Sequence, residues 1–177
     1  MNRRITLSLA PLALLGLALA LPTGRAVAQE KQHVSFKSPA EGAKYTQQSV
    51  IDVGDVPGHQ VRVFEIHRTF STSPPVMNGL KLGEAWTRGI SDLIDGNGST
   101  TTYGVYVMEN GDRFFSRATL VAQGIGPGKF TTTAAGTITG GTGKVAGIKG
   151  IVRTNGTAEP KAGVNDNQYE FEYWIEK

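Results

Sequence analysis

Apolar and polar positions alternate with a period of two along most of the chain after residue 48, the spacing of strands whose two faces differ. The first long run is 60–70. Val61, Val63, Glu65, His67 and Thr69 share one face, and Arg62, Phe64, Ile66, Arg68 and Phe70 share the other. Further strands are predicted at 49–53, at 80–94 around Trp86, and at 100–109, 113–123, 130–139, 151–158 and 168–176. In the last of these, Tyr169, Phe171, Tyr173 and Ile175 make one apolar face. Thr, Val and Tyr recur in these runs and suit a half-buried pleated surface.

Turn residues separate the runs. Asn110-Gly111 predicts a tight hairpin with positive φ at both positions. Asp95-Gly96-Asn97-Gly98 and 124–128 read as turns, and 38–48, 71–79 and 159–167 read as loops, with Pro74-Pro75 unable to hold a ladder. Residues 29–37 form a polar lead-in, either a mobile arm or a first edge strand. Helical spacing is confined to 91–95 and to one turn at 144–148. About eight strands at regular spacing predict an all-β fold: a single antiparallel eight-stranded up-and-down β-barrel with Gly-rich turns. Closure removes sheet edges, which matters for a chain that has no Cys and so no disulfides.

The N-terminus departs from this pattern. Asn2-Arg3-Arg4, an apolar Leu/Ala-rich run and Ala26-Val27-Ala28 follow the order of a secretory signal peptide. The expected organisation is a cleaved signal at 1–28, a polar arm at 29–48 and a barrel domain at 49–177, in a periplasmic or secreted protein. The formal charge of +3 rests on Arg3, Arg4 and Arg25 of that leader, leaving the remainder balanced. A balanced surface offers no basic field for nucleic acid, and no membrane association is expected of the mature form.

Between the late strands, Gly136, Gly140, Gly141, Gly143, Gly147 and Gly150 crowd one stretch. It fails as a phosphate loop, because Ile138 stands where a glycine is required and Val145 where Ser or Thr must follow Lys144. The order Asp95-Gly96-Asn97-Gly98, Tyr103-Gly104, Glu109-Asn110-Gly111-Asp112 and then Gly140-Gly141-Thr142-Gly143-Lys144-Val145-Ala146-Gly147-Ile148-Lys149-Gly150 resembles the allene oxide cyclase and dirigent type of small β-barrel. The resemblance covers roughly 60–158. Val145 stands where that pattern usually has an aromatic. It implies an eight-stranded barrel with a largely apolar cavity for fatty-acid-derived or phenolic molecules, and it implies no single reaction.

Candidate chemistry is sparse. Glu65 and His67 lie two apart on one strand face and would form a catalytic pair if that face pointed inward. Arg88 shares a face with Trp86, and Arg117 with Phe115; an Arg among aromatics can hold a carboxylate or phenolate. Tyr106 and Tyr173 would serve as ligand lining or as core. Metal sites and cofactors are not expected: the three histidines lack ligand spacing, and the Asp95 turn has Thr100 and Tyr106 where a calcium loop needs Gly and Glu. No Gly-x-Ser-x-Gly elbow is present. Three functions fit: a barrel binding a small, mainly apolar ligand, a cofactor-independent cyclase or isomerase, and a non-catalytic homo-oligomeric interaction module.

Overall fold

One antiparallel hydrogen-bonded ladder runs through nearly the whole described chain, residues 30–176 of a computed structural model. The predicted signal peptide and its cleavage site lie outside those residues. The strands are β1 (Gln32–Ser38), β2 (Ala43–Asp52), β3 (His59–Thr69), β4 (Val76–Met77), β5 (Leu80–Ile94), β6 (Asn97–Met108), β7 (Arg113–Gly126), β8 (Lys129–Gly141), β9 (Ile148–Glu159) and β10 (Val164–Ile175). Their order is β1-β10-β9-β8-β7-β6-β5-β3-β2, and β4 pairs only with β5. From β5 to β10 every neighbour in sequence is a neighbour in the sheet, as consecutive hairpins require.

The described part of the polar stretch 29–48 is mostly strand, the alternative to an arm. It supplies β1 and most of β2, which occupy the two ends of the strand order and are joined by one 3-10 turn, Ala40–Gly42. In β1, Val34 and Phe36 point inward, and Phe36 stacks on Tyr169 at 5.2 Å while meeting the edge of Phe70 at 5.5 Å. In β2 the alternation is broken by a bulge between Tyr45 and Gln47, which is why this segment reads as loop in sequence. Residues 91–95 are not helical: 91–94 complete β5. Ile90 and Ile94 face outward and Leu93 inward, a spacing that imitates a helix.

Two turns also differ from expectation. At Asn110-Gly111 only Gly111 has positive φ (87°); the Asn110 side chain instead brackets Asp112, accepting from its N–H at 3.1 Å. The two-residue turns with positive φ at both positions are Asn78-Gly79 (47°, 74°) and Asp95-Gly96 (50°, 79°). The first folds Val76–Met77 back onto β5, giving a short ladder inside a predicted loop.

Inner-face residues of distant strands pack together. Tyr106 on β6 and Phe171 on β10 meet edge to face at 5.3 Å although three strands separate them in the sheet, so the sheet curls round its core. That core fills one end, with Met77, Phe114, Val145, Ile148 and Phe171 all fully enclosed. The glycine stretch covers this end. Its single 3-10 turn, Gly143–Val145, drives Val145 into the core at 0% exposure. Asn78 ties it down, donating through its backbone N–H to Tyr173 Oη (2.7 Å) and through Nδ2 to the Lys144 carbonyl (2.8 Å). Asp112 accepts from the Lys144 N–H at 2.8 Å. The anion received by this glycine loop is thus the protein's own carboxylate, a structural reason it is not a phosphate cradle.

Candidate functional site

The other end of the curled sheet is open. A mouth of about 320 Å³ lies among the β2 strand and the turns following β2, β5, β7 and β9, with Val50, Leu93 and Phe130 as its apolar wall. Behind it sits an inner chamber of about 60 Å³. The two spaces share Arg62, Leu93 and Phe130 as lining, which makes them consecutive compartments.

The chamber is built mainly by inward positions of β3, β5, β6, β8 and β10, and its character comes from arginine. Arg62 and Arg68 both line it, and no Asp or Glu does. Arg68 is 2% exposed. Its Nη1 donates to Thr87 Oγ1 at 3.1 Å, and its Nη2 donates to Asn165 Oδ1. Its Nε has no acceptor; with Trp174 Nε1 it is one of the two buried side-chain polar atoms among the described residues left without a partner. Asn165 also donates to Tyr45 Oη at 3.0 Å, so the network spans β2, β3, β5 and β10. Arg62 lies over the Phe64 ring at 4.7 Å and donates to Gln48 Oε1 at 3.2 Å. Burial pulls its guanidinium pKa down from the ordinary value, opposed by Tyr45. Among the described residues neither arginine forms an ion pair. The hydroxyls of Thr100 and Thr132 complete the polar wall.

At the rim, His59 is clasped between two carboxylates, Nδ1 to Asp55 at 2.6 Å and Nε2 to Asp92 at 2.8 Å. The bond to Asp92, then that to Asp55, raises the imidazole pKa above 6.5. Asp55 is itself held below its usual range by the Val56 N–H and then by His59.

Of the residues singled out in the sequence, Tyr106 and Tyr173 are buried in the closed-end core; Glu65, His67, Trp86, Arg88, Phe115 and Arg117 sit on the outer face. Glu65 and His67 do not pair with each other. Glu65 bonds Arg88 at 2.7 Å, while His67 bonds Glu84 at 2.7 Å and stacks on Trp86 at 4.1 Å. Arg88 also lies 5.7 Å from the Trp86 ring, and Arg117 lies 5.8 Å from that of Tyr103. These contacts form a surface strip in cross-strand register, Glu65, Arg88, Tyr103, Arg117; beside it Glu65 and Arg88 line an open outer-face depression of about 240 Å³ with Gln47, Ser49 and Val63. The chamber residues Arg62, Arg68, Tyr45 and Asn165 did not stand out. The available signal was two arginines on the same strand face as Phe64, Ile66 and Phe70, the face with the larger apolar side chains. Among the described residues no three His, Asp or Glu side chains gather as metal ligands do. The chain matches no family model, no curated protein and no solved structure.

Proposed function

We propose that the sheet closes as an eight-stave barrel and that this barrel, exported from the cell, binds a small, mainly apolar molecule through its open end. Closure is supported by the place of β1 and β2. One pairs with β10 and the other with β3, and four residues join them, so together they act as a single broken stave between the two ends of the strand order. Bonds from Arg68 and Asn165 cross the same seam. Counting β1 and β2 as one stave leaves eight, and an eight-stave barrel is wide enough to hold one small ligand.

The observation that carries the ligand reading is the asymmetry of the interior. One end is packed by aromatics and sealed by the glycine stretch, while the other keeps a mouth and an inner chamber. A barrel serving only as an interaction module would gain stability by filling that space. The reading agrees with the apolar-ligand use implied by the allene oxide cyclase and dirigent resemblance. Native mass spectrometry of protein purified from an exporting host is the test. A retained small molecule, or uptake of an added apolar probe such as octanol, is the expected result. Protein that carries nothing and takes up no such probe refutes it.

A second property follows from the outer face. Val63, Ile90, Tyr103 and Val121 are roughly half exposed or more on β3, β5, β6 and β7. Val63 and Ile90 are cross-strand partners and Tyr103 and Val121 lie in the rows on either side, and exposed apolar side chains so grouped support a homo-oligomer through this face. Light scattering on wild type and on Ile90→Lys/Val121→Lys tests it; a monomeric wild type removes it.

A further inference from the structure

Resting on the reading of the interior as a ligand site, we propose that the inner chamber is a carboxylate site, taking the acid group of an otherwise apolar carboxylic acid between Arg62 and Arg68. The ligand lies head-inward, with its apolar body in the mouth along Val50, Leu93 and Phe130.

The first argument is charge. A buried guanidinium with no counter-ion is costly, and proteins that bury Arg pair it. Here Arg68 is buried and Arg62 half-buried in one small space, every hydrogen-bond partner they have is neutral, and the space has no acid of its own. Arg68 keeps an unused Nε at 2% exposure. The missing partner is an anion from outside the chain. The second argument is size. About 60 Å³ corresponds to roughly two waters' share of liquid volume. A space that small takes a headgroup and not a whole ligand, and a planar carboxylate matches guanidinium in geometry. The third is the order of the compartments. Arg68, 2% exposed, lines the chamber and not the mouth, whose own charged side chains Asp95 and Lys161 are exposed, so the buried guanidinium that lacks an anion lies inward of the entrance.

Arg68 also spans the seam between β3 and β10, so a purely structural clamp is the rival explanation. The two differ in what substitution does. Calorimetric titration of the purified exported protein with octanoate and with octanol, at neutral pH, separates head from tail. Octanoate is expected to bind roughly 10- to 100-fold tighter than octanol. Arg62→Gln should remove much of that preference, and Arg68→Met should abolish it while keeping octanol binding. Bound octanoate carrying a 13C carboxyl should stay ionised to lower pH than the free acid, because guanidinium groups flank it. Equal affinity for the two probes overturns the carboxylate site and leaves the apolar-ligand reading standing; failure of both probes to bind overturns both. A preference surviving Arg62→Gln and Arg68→Met overturns the assignment, and a lowered melting temperature with that preference intact identifies Arg68 as a clamp only. Should Arg68→Met not fold, Arg62→Gln at the chamber's outer side carries the test alone.

Discussion

Val145 offers a direct measure of whether the glycine stretch is a structural seal. Its side chain is at 0% exposure in the closed-end core, held there by one 3-10 turn that Asp112 and Asn78 anchor from opposite sides. Val145→Ala removes two methyl-sized groups. At about 0.8 kcal/mol per buried carbon the transfer loss is about 1.6 kcal/mol, and an unrelaxed cavity adds roughly 1 kcal/mol. For a domain of this size each kcal/mol moves the melting temperature by roughly 3–4 °C, so a drop of roughly 8–10 °C is expected. Val145→Thr keeps the shape but places a hydroxyl in the same site, and should cost about 1–3 kcal/mol. Ile125→Ala is the control: Ile125 is 52% exposed and should change stability by less than about 0.5 kcal/mol. Circular dichroism melts with urea titrations suffice, and an unchanged urea m-value would place the seal within the same cooperative unit as the sheet. If Val145→Ala shifts the melt no more than Ile125→Ala does, the stretch is a surface loop and the sealed-end argument fails.

Other outcomes follow from the same geometry. Gly89 sits under Phe64, and a Cβ there would lie 2.3 Å from the ring; Gly89→Ala should cost about 1–3 kcal/mol by thermal melt and push that ring into the chamber, weakening ligand uptake. The His59 clasp stabilises the fold fully below the unfolded imidazole value near 6.5 and loses that contribution as pH rises through the raised folded value. NMR titration should therefore place His59 above 6.5, and Asp92→Asn should lower its midpoint more than Asp55→Asn does. The depressed Asp55 carboxyl works in the opposite direction, its contribution present above about 3.8 and lost as pH falls through the lower folded value. Tyr173→Phe strands the Asn78 N–H beneath the β4 hairpin and should cost about 1–2 kcal/mol, with faster hydrogen exchange at 76–79.

The eight predicted strands all fall on strands of the sheet, four of them running one residue past the end, because long period-two runs such as 60–70 and 168–176 leave little choice of structure. The segments that escaped have local physical causes. β2 was hidden by its bulge, and β4 by Pro74-Pro75, although Asn78-Gly79 carries the same dipeptide signal read at Asn110-Gly111. The site was harder to find. Alternation says which residues share a face and is silent on which face is inside when both carry apolar groups. On β3 the face of Glu65 and His67 looked chemical and turned out to be the surface, where those groups find ordinary partners. The inward face held Arg62 and Arg68, whose interest lies in having no acidic partner, and pairing across strands is invisible in one strand's sequence.

The broken stave fixes an order of assembly. Strands β2 to β10 can pair progressively, each with a near neighbour in sequence, but β1 finds its partner only in β10; Lys31 and Glu172, bonded at 2.7 Å, are 141 residues apart. Of the described strands, the first in sequence is thus the last to be satisfied, because its partner β10 is the last of them. Distant closure of this kind slows folding. Under the export proposed above, such delay would keep the polypeptide open for passage until β10 has followed.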